Sequence, residues 1–98
     1  MDRLKGRVAV VTGACSGIGL GTVELFVAEG AQVLAADIQD DKGEALAARF
    51  DGAVAFHHCD VISETDIEGT MRAAVDAFGR LDILFNNAGA GGRSKSVV

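Results

Sequence analysis

Short apolar runs alternate with segments of helical periodicity along this chain. The first run, residues 7–12 (RVAVVT), is rich in β-branched residues and is typical of a strand buried on both faces. Similar runs at residues 32–36, 53–58 and 81–85 predict three further strands. The sequence therefore predicts four buried strands.

Between these runs, apolar residues recur at intervals of three and four positions, as they do on one face of a helix. The first such segment follows Gly19 and closes at Gly30, and the second covers residues 39–50. The third begins at Ser63, a favourable N-cap, and continues to Gly79. Three helices are therefore predicted.

The predicted order is β-α-β-α-β-α-β with short connections. Because parallel strands need crossover helices, this order indicates an α/β fold, a doubly wound parallel sheet with helices on both faces. We assign residues 1–90 to one half-domain and residues 91–98 to an irregular C-terminal tail. The sheet is expected to be truncated after its fourth strand, whose apolar edge would be open.

A glycine-rich loop, TGACSGIG, lies between the first strand and the first helix. Glycine lets the backbone turn sharply and approach a pyrophosphate, while the N-terminus of the next helix offers unpaired N–H groups. The loop is therefore predicted to bind phosphate. Its candidate cofactor-binding residues are Gly13, Cys15, Ser16, Gly17, Ile18 and Gly19.

The loop and three later motifs resemble those of the short-chain dehydrogenases/reductases, which have a Rossmann-type fold. The loop is similar to the family's TGxxxGIG fingerprint. Asp37 ends the second strand, Asp60-Val61 follows the third, and NNAG at residues 86–89 follows the fourth, all in family order. The resemblance extends from about residue 4 to residue 89 and implies the NAD-binding half of an oxidoreductase.

Asp37 predicts the choice of cofactor. A carboxylate at the end of the second strand can accept hydrogen bonds from both adenosine ribose hydroxyls of NAD, and it would repel the 2′-phosphate of NADP. Ser16 and Ile38, where NADP-preferring relatives often have a basic residue, are uncharged. We therefore expect NAD rather than NADP.

The resemblance implies further cofactor contacts near the third and fourth strands. Asp60 would accept a hydrogen bond from the adenine amino group, and the alternative role, a carboxylate in the turn or at the start of the helix, is compatible with the first. For Asn87, two roles are equally supported, as a structural contact between neighbouring strands and as a contact to the cofactor. The residues that the resemblance assigns to the cofactor here are Asp60, Val61, Asn86, Ala88 and Gly89.

No catalytic residue of the family is found in this chain. Family members use a Ser–Tyr–Lys set to move hydride between a secondary alcohol or ketone and the nicotinamide ring, whereas this chain contains no tyrosine. We expect the 98 residues alone to be inactive, as a truncation product, a frameshift product or a free-standing module, with truncation favoured. The alternatives are a non-catalytic NAD-binding or regulatory module and, less well supported, a methyltransferase.

Composition restricts the partners. A net charge of −5 argues against binding of nucleic acid, and no apolar stretch is long enough to span a bilayer. The N-terminus does not resemble a signal peptide, so a cytoplasmic location is expected. For the parent enzyme, the expected partners are NAD, a small alcohol or ketone, and further copies of itself.

Histidine and cysteine residues offer little support for a metal site. Of the adjacent residues His57, His58 and Cys59, only His57 and Cys59 would share a strand face, and no further ligand completes a zinc set. The helix N-terminus beside Cys15 favours a lowered pKa, but a spacer role is preferred because no base lies nearby. Both cysteines are expected to be reduced thiols.

Overall fold

A computed structural model describes residues 3–15, 17–87 and 95–97 of the chain. Strands and helices alternate as far as the fourth strand, which a fifth strand follows. They are β1 (Val8–Thr12), α1 (Gly17–Ala28), β2 (Gln32–Asp37), α2 (Asp40–Arg49), β3 (Val54–His58), α3 (Glu64–Phe78), β4 (Ile83–Asn86) and β5 (Lys95–Val97). The strand order is β3-β2-β1-β4-β5, and the first four strands are mutually parallel, which confirms the predicted α/β fold.

The C-terminal tail corrects one prediction. Lys95–Val97 are not irregular, because they form β5 and pair antiparallel with β4 from Leu84↔Val97 to Asn86↔Lys95. The pairing satisfies backbone groups of β4 that an edge strand would leave unpaired. The sheet therefore does not stop at β4, and β4 is not its open edge. Three residues are too few for a recognisable apolar period.

Helices cover the two faces of the sheet separately. On one face, Val33 of β2 belongs to a core cluster with Val23 of α1 and Leu46 of α2. On the other face, Leu34 belongs to a cluster with Ala74 of α3. Consecutive residues of β2 thus point into different cores, which explains why the strand is apolar at nearly every position.

The start of β4 differs from its prediction. The strand begins at Ile83 rather than at Leu81, and the residue before it, Asp82, bonds to Val8 through both its side chain and its backbone. The Asp82 carboxylate accepts a hydrogen bond from the Val8 amide at 2.9 Å, and the Asp82 amide donates to the Val8 carbonyl at 2.8 Å. These bonds fix the register of β4 against β1.

The ends of α3 agree with the sequence. The Ser63 hydroxyl accepts a hydrogen bond from the Asp66 amide at 3.2 Å, and Gly79 ends the helix with a φ of +85°. Within the described residues, no helix is both long and apolar enough to cross a membrane.

Gly43 lets α2 lie close against β3. A Cβ at this position would collide with the ring of Phe56, whereas a Cβ on Gly21 of α1 would meet open space. We predict that Gly43→Ala lowers the free energy of unfolding by about 1–3 kcal/mol through overpacking. Gly21→Ala, the matched control, should raise it by about 0.5–1 kcal/mol through helix propensity.

Urea unfolding followed by circular dichroism measures both changes. Equal effects of the two substitutions would contradict close packing of α2 on Phe56.

Candidate functional site

The predicted site residues meet at one edge of the sheet, because parallel strands share their carboxyl ends. β1 lies between β2 and β4, with Thr12 in register with both Ala36 and Asn86. The chain leaves β1 for α1 and enters β4 from α3 on the opposite face. A ligand crevice is expected at the carboxyl ends of two neighbouring strands whose adjoining helices lie on opposite faces in this way.

Each glycine of the loop at residues 13–19 has a distinct structural reason. Gly13 and Gly17 adopt left-handed conformations, with φ of +62° and +59°. Gly19 packs against the start of the loop, since a Cβ on Gly19 would collide with the carbonyl of Gly13. The loop therefore folds back on the first turn of α1, and Ser16 lies outside the described residues.

The N-terminus of α1 is suited to an anion. The described first turn of α1 has no acidic residue, whereas α2 and α3 each have two. Carboxylates at those two helices complement the helix dipole, and α1 leaves that position open. Gly17 and Ile18 are exposed there, and because Gly17 has no side chain, its backbone is accessible to a phosphate group.

Asp37 connects the end of β2 to the glycine loop. Its side chain is 7% exposed, and one oxygen, Oδ2, accepts a hydrogen bond from the Cys15 amide at 3.1 Å. Oδ1 accepts bonds from the Gln39 amide at 3.0 Å and from Gln39 Nε2 at 3.4 Å. Burial alone would raise the pKa of Asp37, but these donors outweigh it and lower the pKa, so the group is ionised.

The structure therefore gives Asp37 a second role, which was not predicted, as the support of the loop. The contact with Cys15 spans 22 positions and leaves no local signal in the sequence. The bond to Gln39, two residues away, follows a local pattern that aspartate often forms and could have been anticipated.

Cys15 faces the interior rather than the ligand side of the loop. The prediction of a lowered pKa is wrong, because burial, followed by the negative charge of Asp37, raises the pKa of Cys15 to about 11. Its Sγ lies 3.9 Å from the Gln39 carbonyl oxygen. The thiol is thus a packing group, while the Cys15 backbone holds the loop.

The end of β4 is tied to β1 and α1. The Thr12 hydroxyl donates a hydrogen bond to Asn86 Oδ1 at 2.6 Å, which fixes the orientation of the Asn86 amide. The Asn87 side chain lies beside Gly19, which supports a structural role for Asn87. Two predicted cofactor residues, Ala88 and Gly89, lie outside the described residues.

Asp60 has the helix-start contacts that were one of its two predicted roles. Its Oδ1 accepts a hydrogen bond from the Ile62 amide at 3.0 Å, and its own amide donates to Asp66 Oδ2 at 2.9 Å. Val61 is half-buried beside it. The large side chains of Ile38 and Ile62 are exposed by 61% and 84% near the ends of β2 and β3.

The histidines point to opposite faces of β3, as strand alternation predicts. His57 Nδ1 lies 3.2 Å from the Thr70 hydroxyl of α3, and His58 Nδ1 lies 2.7 Å from Asp40 Oδ1 of α2. Cys59 is buried, which raises its pKa. Among the residues that the structure describes, no group of three or more His, Cys, Asp or Glu side chains is placed to hold a metal ion.

Comparison with known proteins supports the resemblance. A family model described as short chain dehydrogenase matches residues 7–97. Tropinone reductase-like 1 of Erythroxylum coca is 53% identical over 87 residues, which are 89% of this chain and 32% of that protein. This chain spans about one third of the length of the curated relatives it matches.

Two solved structures share the fold. A short-chain dehydrogenase/reductase from Brucella melitensis, described as a glucose/ribitol dehydrogenase, matches with a TM-score of 0.79 and 34% identity over 85% of this chain and 36% of its own. The C-domain of a bacterial malonyl-CoA reductase, solved with NADP, matches with a TM-score of 0.83 and 28% identity over 88% of this chain and 15% of its own.

The support that Asp37 gives the loop is testable through its pH dependence. Asp37→Asn should lower the free energy of unfolding by about 1–3 kcal/mol at neutral pH, because an amide nitrogen then faces buried N–H donors. The pKa of Asp37 is lowered in the folded chain, so its stabilisation is complete above the unfolded value of 3.8 and is lost as the pH falls further.

The difference between wild type and Asp37→Asn should therefore shrink on acidification. Asp76→Asn, which removes an exposed charge from α3, is the control and should change stability little. Denaturant unfolding at several pH values decides the matter. A difference that stays constant below pH 3.8 would contradict ionised support by Asp37.

Proposed function

The chain belongs to the short-chain dehydrogenase/reductase family of oxidoreductases, and we propose that it is the NAD-binding portion of such an enzyme. The proposal depends above all on one observation: the ionised carboxylate of Asp37 lies directly behind the glycine loop, at the carboxyl end of β2. The parent reaction would transfer hydride between a secondary alcohol or ketone and the nicotinamide ring.

The pyrophosphate of NAD would lie against the N-terminus of α1. Gly13 and Gly17 have left-handed conformations in the loop before this point, and the described first turn carries no competing carboxylate. The partial positive charge of the helix end favours the phosphates. The loop is fixed from behind by the bond from Cys15 to Asp37, so the site is largely preformed.

The adenosine ribose would lie beside Asp37. The Cys15 amide occupies one acceptor position of Asp37 Oδ2, and a carboxylate oxygen can accept two hydrogen bonds, so we assign the second position to a ribose hydroxyl. The same negative charge would repel a 2′-phosphate. The malonyl-CoA reductase C-domain was solved with NADP on a related fold, so the fold alone does not select NAD and the proposed preference depends on Asp37.

The rest of the cofactor would extend along the strand ends. Asp60 and Val61 would contact the adenine, beside the exposed side chain of Ile38. Asn86, oriented by Thr12, would line the crevice on the side of β4, with Ala88 and Gly89 beyond it. We take Ser16, in the glycine loop, as a further phosphate contact.

We assign the catalytic proton transfer to no residue of this chain. Oxidation of an alcohol needs a group that accepts the hydroxyl proton, and the family uses a tyrosine, which this chain lacks. The two histidines are engaged with Thr70 and Asp40 at β3, away from β4. NAD supplies the hydride chemistry when bound, while this chain binds and orients it. We therefore propose no turnover by the 98 residues alone.

Cofactor titration of the chain by calorimetry tests this proposal. Wild type should bind NAD more tightly than NADP. Gly19→Ala should weaken NAD binding about tenfold or more, equivalent to ~1.4 kcal/mol, because its Cβ displaces the Gly13 carbonyl from the loop. Gly21→Ala, two residues further along α1 with open space around its Cβ, is the control and should bind as wild type does.

Tighter binding of NADP than of NAD would contradict the role given to Asp37. Unchanged NAD binding by a folded Gly19→Ala variant would contradict the loop as the phosphate site.

A further inference from the structure

His58 lies on the same sheet face as Asp37. In the β2–β3 pair, Val33 is in register with Val54 and Asp37 with His58. Val33 and Val54 share one core cluster, and side chains two and four positions further along their strands point to the same face. The imidazole of His58 therefore projects beside the residue proposed to hold the ribose.

An ion pair links His58 to the start of α2. His58 Nδ1 lies 2.7 Å from Oδ1 of Asp40, the first residue of α2. A side-chain contact therefore fixes each end of the turn formed by Ile38 and Gln39. At its start, the Asp37 carboxylate accepts hydrogen bonds from Gln39, and at its end, Asp40 contacts His58. The Cys59 amide also donates to the Asp37 carbonyl at 3.0 Å. The turn that presents Asp37 and Ile38 is thereby attached to the end of β3.

The surroundings of His58 are acidic. Asp40 of α2 is its direct partner, Asp60 and Asp66 add negative charge from the loop before α3 and from α3 itself, and Asp37 is in register on β2. The hydrogen bond and charge of Asp40 come first among the causes that raise the pKa of His58 above its ordinary value. The positive charge of a protonated His58 therefore partly neutralises the negative charge of these carboxylates, at the site where an anionic dinucleotide is proposed to bind.

We propose that His58 is a positioning residue for the cofactor, which it serves by holding Asp40 and the Ile38–Gln39 turn, and that its protonated form binds NAD more tightly than its neutral form. This inference rests on the proposed NAD site. Protonation of His58 strengthens its bond to Asp40 and reduces the negative potential beside the ribose, and both effects increase the affinity for NAD. Between roughly pH 6 and pH 9, where Asp37 stays ionised, the affinity for NAD is then higher on the acidic side and falls as the pH rises through the pKa of His58.

The size of the effect follows from exposure. His58 and Asp40 side chains are 54% and 56% exposed, so solvent screens their charges. Exposed ion pairs of this kind support a change of about two- to fivefold in the dissociation constant of NAD across the titration. Because the effect is electrostatic, it diminishes at high salt.

The test compares His58→Gln with His57→Gln. Glutamine retains hydrogen bonding without titrating, and His57, on the opposite face against Thr70, is the other histidine in the chain. NAD is titrated into each variant and wild type between roughly pH 6 and pH 9, around the ordinary histidine pKa. In wild type and His57→Gln the dissociation constant should rise with pH, and in His58→Gln it should stay level.

A second readout needs no substitution at His58. Imidazole resonances in the wild-type NMR spectrum, assigned from His57→Gln, give the pKa of His58 with and without NAD. Since binding and protonation are reciprocally linked, NAD should raise the pKa of His58 by the logarithm of the change in affinity. Asp40→Asn should lower the pKa of His58 in the free chain and reduce its response to NAD.

The outcomes separate the two proposals. If wild type binds no NAD at any pH, the proposed function fails and this inference with it. If wild type binds NAD but the pKa of His58 is unmoved, or if His58→Gln keeps the wild-type pH dependence, only the positioning role of His58 is overturned.

Discussion

The carboxylate of Asp37 joins two backbone segments that are distant in sequence. It receives the amide of Cys15 from the glycine loop on one oxygen and the amide of Gln39 on the other. A buried carboxylate is costly unless donors surround it, and here the donors are the backbones of the two loops that border the crevice. The ionised side chain therefore fixes the distance between the phosphate loop and the turn after β2.

Much of the site depends on this bridge. The loop that Asp37 holds from behind is also the segment in which Gly13 and Gly19 approach each other closely, and Gly17 and Ile18 at the N-terminus of α1 are exposed. The site proposed for the cofactor would then be ordered before binding, so that little conformational entropy is lost when the cofactor binds. A group that supports the fold and also binds the ligand cannot be exchanged freely, so cofactor choice and stability are coupled at Asp37.

The sequence predicted those features that arise from local patterns. A β-branched run located β1, a short apolar run located β2, glycine spacing located the loop, and Ser63 located the start of α3. Contacts between residues that are distant in sequence could not be predicted from the sequence. The pairing of Lys95–Val97 with β4 and the bond from the Val8 amide to Asp82 depend on which segments meet in space. The inward orientation of Cys15 was missed because the burial that raises its pKa comes from the packed fold.

Backbone amide NMR of the chain tests the bridge most directly. The account predicts that the amide resonances of Cys15 and Gln39 move together on acidification, with one midpoint below the ordinary aspartate pKa of 3.8, because both report the protonation of Asp37. The Cys15 amide should also exchange slowly with solvent above that midpoint. A Cys15 amide that exchanges rapidly, or stays unmoved while Gln39 titrates, would contradict the account.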